Sequence, residues 1–170
     1  MTSSVATLVE IVPYDEFWPQ TFLDITNTLH QILGTSIIAI DHIGSTAVPG
    51  LAAKPMIDVD VTLTNLCDVP SASAALIASG YEARGNRHDD EVWAFVKRSC
   101  APQQRIYLCP PENRTHARRM VFRDHLRLHA ESAAAYATLK QGLARKFPYD
   151  GDAYTAAKTD FIDRIVDRHQ

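Results

Sequence analysis

The sequence contains few cysteines and no long apolar run. Three of its 170 residues are cysteines (Cys67, Cys100 and Cys109), and their spacing includes no CxxC pair. An odd number of widely spaced cysteines argues against a disulfide framework or a zinc site and favours reduced thiols in a cytosolic protein. The N-terminus lacks the basic start and apolar stretch of a signal peptide, and no segment is long enough to cross a bilayer. We therefore expect a cytoplasmic protein without a membrane partner.

The sequence also lacks an excess of positive charge. Its 17 lysines and arginines are outnumbered by 20 aspartates and glutamates, which gives a net charge of −3. A long nucleic acid held through its phosphates usually requires a basic surface, so that partner is disfavoured, whereas a local cluster can still bind a small anion. The P-loop, the GxGxxG fingerprint and the GxSxG nucleophile elbow are absent as well.

The order of the predicted elements indicates an α+β fold. The length suits one domain, 1–170, which we divide into a sheet core, 1–110, and a helical extension, 111–170. Alternating or β-branched runs predict a mixed sheet of about five strands, and apolar residues at helical spacing predict an N-terminal helix, an inserted helix and a helical C-terminal third. The predicted strands are 36–43, 56–63, 81–85, 91–98 and 104–109, with a further short strand within 5–14. The predicted helices are one capped by Asp15 and stopped by Gly34, one at 71–79, one at 115–129, one through Tyr136 and Phe147, and one through Tyr154, Phe161 and Ile165.

Two aspartates alternate with apolar residues in the strand 56–63. Side chains two positions apart on a strand share a face, so Asp58 and Asp60 lie side by side while Ile57 and Val59 face the core. Like charges held this close repel each other, and a divalent cation such as Mg²⁺ relieves the repulsion through the carboxylate oxygens. A bare Asp-x-Asp is also common on the wet face of an edge strand, so the pair alone leaves both interpretations open.

Gly44 and Ser45 directly follow the preceding strand and stand 12 residues before Asp58 (positions 46–57). A glycine lets the backbone approach a ligand closely, and exposed N–H groups beside a serine hydroxyl suit a phosphate. Because the two strands are expected to be neighbours, this turn and the aspartate pair would share one pocket. The combination favours a phosphate site beside a metal site.

The stretch HIGSTAVPGLAAKPMIDVDV, residues 42–61, resembles the GrpB-like family within the DNA polymerase beta-like nucleotidyltransferase superfamily. The similarity extends to VPYDEFWPQTF near the start and FRDHLRLHAESAAAYATLKQGLARKF near the end, so it covers nearly the whole chain. The resemblance implies a minimal nucleotidyltransferase fold with an appended helical region. Relatives of the domain also occur fused to dephospho-CoA kinase, which implies a link to nucleotide or coenzyme metabolism.

By this resemblance, Gly44 and Ser45 would hold the phosphates of a nucleotide. Asp58 and Asp60 would be the catalytic pair and would bind Mg²⁺, with Mn²⁺ as a possible substitute. The superfamily usually adds a third carboxylate on a later strand. Here the strand 104–109 carries no acid, and Tyr107 stands where the family often has a histidine.

Five further polar residues are candidates for the same pocket. His42 precedes the Gly-Ser pair and could act as a base or phosphate contact, although a hydrogen-bonded structural histidine fits equally. The point charge of Lys54 suits a triphosphate or could neutralise the aspartates. Arg119, Arg123 and Arg127 form one helical stripe that could clamp phosphates, pair with nearby acids or face solvent.

The leading hypothesis is a Mg²⁺-dependent enzyme that transfers a nucleotidyl group from a nucleoside triphosphate to a small acceptor. The missing third acid motivates a second hypothesis, a nucleotide- or coenzyme-binding module without catalysis. A third, resting on family analogy alone, is a partner protein for coenzyme A enzymes.

Overall fold

The computed structural model describes residues 6–170, which form a mixed sheet with helices packed on both faces. The order of the elements confirms the predicted α+β fold. In chain order the helices and strands are α1 (Trp18–Leu33), β1 (Ile37–Ile43), β2 (Met56–Leu63), α2 (Val69–Ala78), β3 (Glu82–Gly85), β4 (Trp93–Lys97), β5 (Gln103–Cys109), α3 (Arg114–Leu128), α4 (Ala130–Lys146), α5 (Gly151–Ala156) and α6 (Thr159–Val166).

The five strands lie in the order β1-β2-β5-β4-β3. β2 runs antiparallel to β1 and parallel to β5, and the remaining pairs are antiparallel. In this register Asp58 lies opposite Arg105 and Asp60 lies opposite Tyr107. The two aspartates therefore share one face of the sheet with a cation and a phenol from β5.

The alternation of β2 decides which face becomes the core. Ile57, Val59, Val61 and Leu63 are completely buried against α1 and α2, as predicted. Burying each such side chain contributes about 1.5–3 kcal/mol, so a register slip that turned this face to water would be strongly disfavoured. Asp58 and Asp60 must then point to the opposite face.

A second, smaller apolar cluster lies on that opposite side of the molecule. Val48 and Leu51, from the loop after β1, pack there with residues of α3, α4 and α6. This cluster holds the C-terminal helices close to the Gly-Ser turn. Within residues 6–170, no helix combines the length and apolar character needed to span a membrane.

The first helix confirms one predicted boundary and corrects the other. Gly34 ends it with φ +61°, and its N–H donates to the His30 carbonyl. The helix begins at Trp18, so Phe17 and not Asp15 occupies the cap position. The Asp15 carboxylate instead accepts a 2.8 Å hydrogen bond from the Phe17 N–H, because a side chain two residues earlier closes the turn that leads into the helix.

Two other predicted elements differ from the structure. Val5 lies outside the described residues, and the rest of the segment 5–14 forms only an isolated bridge between Val12 and Ala53. With one bridging partner, the segment has no strand beside it to complete a ladder. The last predicted helix is divided into α5 and α6 at Ala157 and Lys158, where the Lys158 N–H bonds to the carbonyl of Thr155, three residues back.

Candidate functional site

The Gly-Ser turn is pressed against the first aspartate of the pair. Gly44 has φ +74° and ψ −173°, a conformation essentially restricted to glycine. A Cβ atom at this position would lie 2.9 Å from Asp58 Oδ2. Glycine is therefore required both for the backbone conformation and for the close approach of the turn to the carboxylate.

Three predicted ligand contacts support this turn from behind and do not line the cavity in front of it. His42 is buried, stacks on Phe22 with ring centroids 4.7 Å apart, and has Nε2 2.9 Å from Thr46 Oγ1. Arg123 Nη1 donates to the His42 carbonyl at 3.1 Å, and Arg127 Nε donates to the Ala47 carbonyl at 2.9 Å. In this structure all three residues contact atoms of the turn or of the strand end before it.

Burial lowers the pKa of His42 to about 4, and the nearby charges of Arg127 and Arg123 add to the effect. The imidazole is therefore neutral at pH 7. Its strand position explains its direction: His42 pairs with Val59, which faces the α1 side of the sheet, whereas Ile43 pairs with Asp58 on the cavity side.

Asp58 has one carboxylate oxygen without a protein hydrogen bond. Oδ1 is buried, and among residues 6–170 it has no hydrogen-bond partner, although Arg105 Nη1 lies 3.7 Å away. Burial raises the pKa of Asp58, while the charges of Arg105, Arg119 and Lys158 oppose the increase. A buried acceptor without a donor is unfavourable, and a cation or donor group beside it would relieve that cost.

Asp60, by contrast, is fully engaged. Its side chain is 1% exposed, Oδ1 accepts a 2.7 Å hydrogen bond from Arg119 Nη1, and Oδ2 lies 2.7 Å from His116 Nδ1. The hydrogen bond with Asp60 raises the pKa of His116, and Asp41 Oδ2 lies 3.5 Å from its other ring nitrogen. These contacts fasten α3 to β2 and balance the charge of Asp60 without a metal.

The carboxylates fit one divalent ion better than two. Mg²⁺ is commonly held by one or two carboxylates together with substrate phosphates, and the free oxygen of Asp58 suits that arrangement. Asp60 could join only after losing Arg119 or His116, and the matching positions on β5 hold Arg105 and Tyr107. In the part of the chain that the structure describes, no three His, Cys, Asp or Glu side chains are grouped as metal ligands.

A cavity of about 370 Å³ opens in front of the turn. Five of the predicted residues line it, so the structure brings them together: Gly44, Ser45, Lys54, Asp58 and Arg119. Asp58 is the one carboxylate in the described lining, whereas the basic residues there come from several elements. They are Lys54, Arg105, Arg118, Arg119, Lys140 and Lys158. The excess of positive charge makes the cavity suitable for an anion.

Two of these lysines were not recognised in the sequence. Lys140 is 1% exposed, donates to the Ala52 carbonyl and has Nζ 4.9 Å from the Tyr136 ring centroid. It follows Tyr136 by four residues, and a lysine on that apolar stripe was the signal that could have revealed it. Lys158, at the junction of α5 and α6, carried no comparable signal.

The cavity lysines share their surroundings with aromatic rings and with each other. Lys54 Nζ and Lys158 Nζ lie 4.3 and 4.6 Å from the Tyr154 ring centroid. Burial, reinforced by the charges of neighbouring lysines, lowers the pKa of Lys140 to about 7 and that of Lys158 to about 8. An anion bound between them would favour their protonated forms.

Comparison with known proteins identifies relatives over almost the whole chain. A family model described as "GrpB protein" matches residues 8–168. The UPF0157 protein PA4798 of Pseudomonas aeruginosa is 34% identical, over 94% of this chain and 67% of that protein. The UPF0157 protein YqkA of Bacillus subtilis is 33% identical, over 91% of this chain and 45% of that protein. A dephospho-CoA kinase of Mycolicibacterium paratuberculosis is 38% identical over 76 residues, which are 43% of this chain and 19% of the kinase.

Solved structures show the same fold. The conserved protein GrpB from Enterococcus faecalis superposes with a TM-score of 0.85 at 29% identity, covering 94% of this chain and 96% of that one. Cid1 in complex with the UTP analog UMPNPP superposes with a TM-score of 0.54 at 14% identity, covering 79% of this chain and 43% of the Cid1 chain. The chain spans less than half the length of Cid1 and of YqkA. The predicted nucleotidyltransferase-like fold is therefore confirmed.

Proposed function

Because this chain belongs to the GrpB family, we propose that its cavity binds a nucleoside triphosphate and transfers the nucleotidyl group to a small acceptor. The observation that carries the proposal is the contact between the Gly44 turn and Asp58 at the wall of a cavity rich in basic residues. The nucleotidyltransferase-like fold supports it. We further propose that the chain works as one domain, 1–170, in which both the sheet core, 1–110, and the helical extension, 111–170, supply the site. The three free thiols support a cytoplasmic location.

In this proposal the protein mainly positions the phosphates and balances their charge. The backbone of Gly44 and Ser45 holds the phosphate chain close to Asp58, and the basic residues neutralise it. An acceptor hydroxyl oxygen forms a bond to the α-phosphorus as the bond from that phosphorus to the oxygen bridging it to the β-phosphorus breaks, and the hydroxyl proton passes to the departing pyrophosphate. Pyrophosphate is then the leaving group, and its charge stays within the basic cavity.

A single Mg²⁺ or Mn²⁺ ion would be held by Asp58 together with phosphate oxygens. It would neutralise phosphate charge and lower the pKa of the acceptor hydroxyl. Asp60 contributes by fixing α3, and with it Arg119, at the cavity wall. Arg123, Arg127 and His42 contribute indirectly, by holding the turn.

A second candidate is a nucleotide- or coenzyme-binding module without catalysis. The engagement of both Asp60 oxygens favours it. So does β5, where Arg105 and Tyr107, and no carboxylate, lie opposite the aspartate pair. The similarity to part of a dephospho-CoA kinase supports coenzyme A precursors as ligands to be tested.

A thermal-shift panel tests ligand binding. The four nucleoside triphosphates and coenzyme A precursors would each be combined with Mg²⁺, Mn²⁺ or EDTA, for wild type, Asp58→Asn and the control Asp89→Asn. Asp89 is exposed and has φ +51°, which asparagine adopts readily, so this control changes the same charge away from the cavity. A ligand at about 100 times its Kd stabilises by roughly 2.7 kcal/mol.

We expect a metal-dependent shift with a nucleoside triphosphate in wild type and Asp89→Asn, and its loss in Asp58→Asn. Each variant needs its own ligand-free baseline, because removing a buried carboxylate changes stability by itself. Release of pyrophosphate with candidate acceptors would then separate the enzyme from the binding module. No shift with any ligand in wild type would overturn both.

A further inference from the structure

The structure points to a ligand subsite within the cavity that no sequence motif marks. We propose that Lys54, Lys140 and Lys158 form a polyphosphate subsite, which holds a chain of phosphoryl groups in nucleotide-bound or inorganic form. The identification of the bound polyphosphate as part of a nucleotide rests on the function proposed above, whereas the subsite itself does not.

The three lysines reach one space from separate parts of the chain. Lys54 precedes β2, Lys140 lies in α4, and Lys158 lies where α5 gives way to α6. All three line the same cavity. The interruption between α5 and α6 is therefore part of the site, because Lys158 lies at the interruption and lines the cavity.

The basic groups lack matching acids. Within residues 6–170, none of the three lysines has a carboxylate oxygen within 4.0 Å, whereas Arg118 and Arg119 at the cavity wall form ion pairs with acids. Bringing several ammonium groups into a partly buried space without counter-charges is unfavourable. A ligand with several negative charges would supply the counter-charges that these lysines lack.

Other charged groups also act on these lysines. Asp58 favours the charged forms of Lys54 and Lys158, Asp152 favours that of Lys54, and Arg105 opposes both. Burial and the charges of Lys158 and Lys54 lower the pKa of Lys140. The one carboxylate in the described cavity lining, Asp58, thus lies against the Gly44 turn, and the lysines have no acid beside them in that lining.

The chemistry of the lysines favours phosphate over a planar carboxylate. An ammonium group is a compact point charge with three rotatable donors, which suits phosphate oxygens presented from varying directions. Three such groups around a cavity of about 370 Å³ suit an extended anion with several charged units rather than a single one. The rings of Tyr136 and Tyr154 hold the lysines in place when no anion is bound.

Calorimetric titration with sodium triphosphate in EDTA tests the subsite without a nucleoside or a metal. The variants would be Lys158→Gln and Lys140→Met, with Lys146→Gln as control. Lys146 belongs to α4 and also lies over an aromatic ring, that of Phe147, but it is exposed and outside the cavity lining, so its change removes one charge away from the cavity.

We expect wild type and Lys146→Gln to bind triphosphate with affinities within about twofold of each other. Lys158→Gln and Lys140→Met should each weaken binding by about tenfold or more, as expected for loss of one charge-assisted contact. If Lys140→Met fails to fold, Lys54→Gln replaces it. Unchanged affinity in the folded cavity variants would overturn the subsite.

A parallel titration with a nucleoside triphosphate separates this inference from the proposed function. Displacement of the nucleotide by inorganic triphosphate, with both ligands weakened by Lys158→Gln, would support a shared subsite. A nucleotide that binds in an Asp58-dependent manner while Lys158→Gln has no effect would overturn the lysine subsite and leave the proposed function intact. Triphosphate binding without nucleotide binding would support the subsite and count against the nucleotidyltransferase.

Discussion

Gly44 and Asp58 are separated by 14 positions in the sequence but touch at the wall of the cavity, where a Cβ on Gly44 would lie 2.9 Å from Asp58 Oδ2. The contact arises because β1 and β2 are antiparallel neighbours and Ile43, at the end of β1, pairs with Asp58. The relationship joins the two halves of the sequence motif into one physical site. It also predicts how that site responds to substitution.

Replacing Gly44 with alanine should lower stability. The backbone conformation alone costs about 1–3 kcal/mol for a residue with a side chain, and the contact with Asp58 adds to this. We expect the melting temperature to fall by about 4 °C or more, since each kcal/mol corresponds to about 2–4 °C for a chain of this size. Gly142→Ala is the matched control. Gly142 lies within α4, and a methyl group added there would meet no atom within 4 Å, so that variant should melt slightly higher than wild type.

Replacing Asp60 with asparagine should be strongly destabilising. Arg119 and His116 would lose the carboxylate that pairs with them, and breaking a buried ion pair costs about 3–5 kcal/mol. Denaturant unfolding measures the effect, with the exposed Asp89→Asn as control. If the variant is as stable as wild type, the loss of these contacts is offset by relief of repulsion between Asp58 and Asp60. That result would be expected if the two carboxylates were unpaired metal ligands.

Because of Lys140, the free energy of unfolding should increase as the pH rises above about 7. Burial and the charges of Lys158 and Lys54 lower its pKa to about 7, from 10.5 in the unfolded chain. Between these values the unfolded state binds more protons, so this lysine's cost to folding is complete below pH 7 and decreases as the pH rises. Lys140→Met should therefore gain the most stability relative to wild type near pH 6.

The stability gained by Lys140→Met should be smallest near pH 10. The variant lacks the hydrogen bond to the Ala52 carbonyl at every pH, and near pH 10 little relief of buried charge offsets that loss. Thermal unfolding of both proteins at pH 6, 8 and 10 gives the comparison. The exposed Lys146→Met serves as control and should show a difference from wild type that is nearly independent of pH. A Lys140→Met difference that stays constant with pH would show that the amine is ordinarily solvated.

Arg127 should contribute to stability and not directly to ligand affinity. Its guanidinium donates to the Ala47 carbonyl behind the turn. A hydrogen bond to a charged group contributes about 1.5–3 kcal/mol, so Arg127→Ala should lower the melting temperature by several degrees. Arg145→Ala, an exposed change on α4, should not. A folded Arg127→Ala protein that loses triphosphate affinity at 10 °C would place this arginine in the ligand site after all.

The local patterns of the sequence were sufficient for most of the fold. The alternation of β2 sent Ile57 and Val59 into the core and Asp58 to the other face, because side chains on a strand alternate regardless of what surrounds it. Gly34 ended α1 as predicted, since glycine readily adopts the required positive φ. The segment 5–14 was predicted as a strand from its composition, but its structure depends on the partners available to it, and within the described residues its β-bridge is the single one between Val12 and Ala53.

The sequence by itself determined the family, most of the strands and the Gly-Ser to Asp-x-Asp motif, because these depend on residues close together in the chain. Only the tertiary structure decided how the polar residues divide their roles. It paired Asp60 with Arg119 and His116, turned Arg123 and Arg127 toward backbone carbonyls, and gathered Lys54, Lys140 and Lys158 around one cavity. The interaction between two charges depends on the distance between them in the folded protein, and that distance cannot be read from their separation in the sequence.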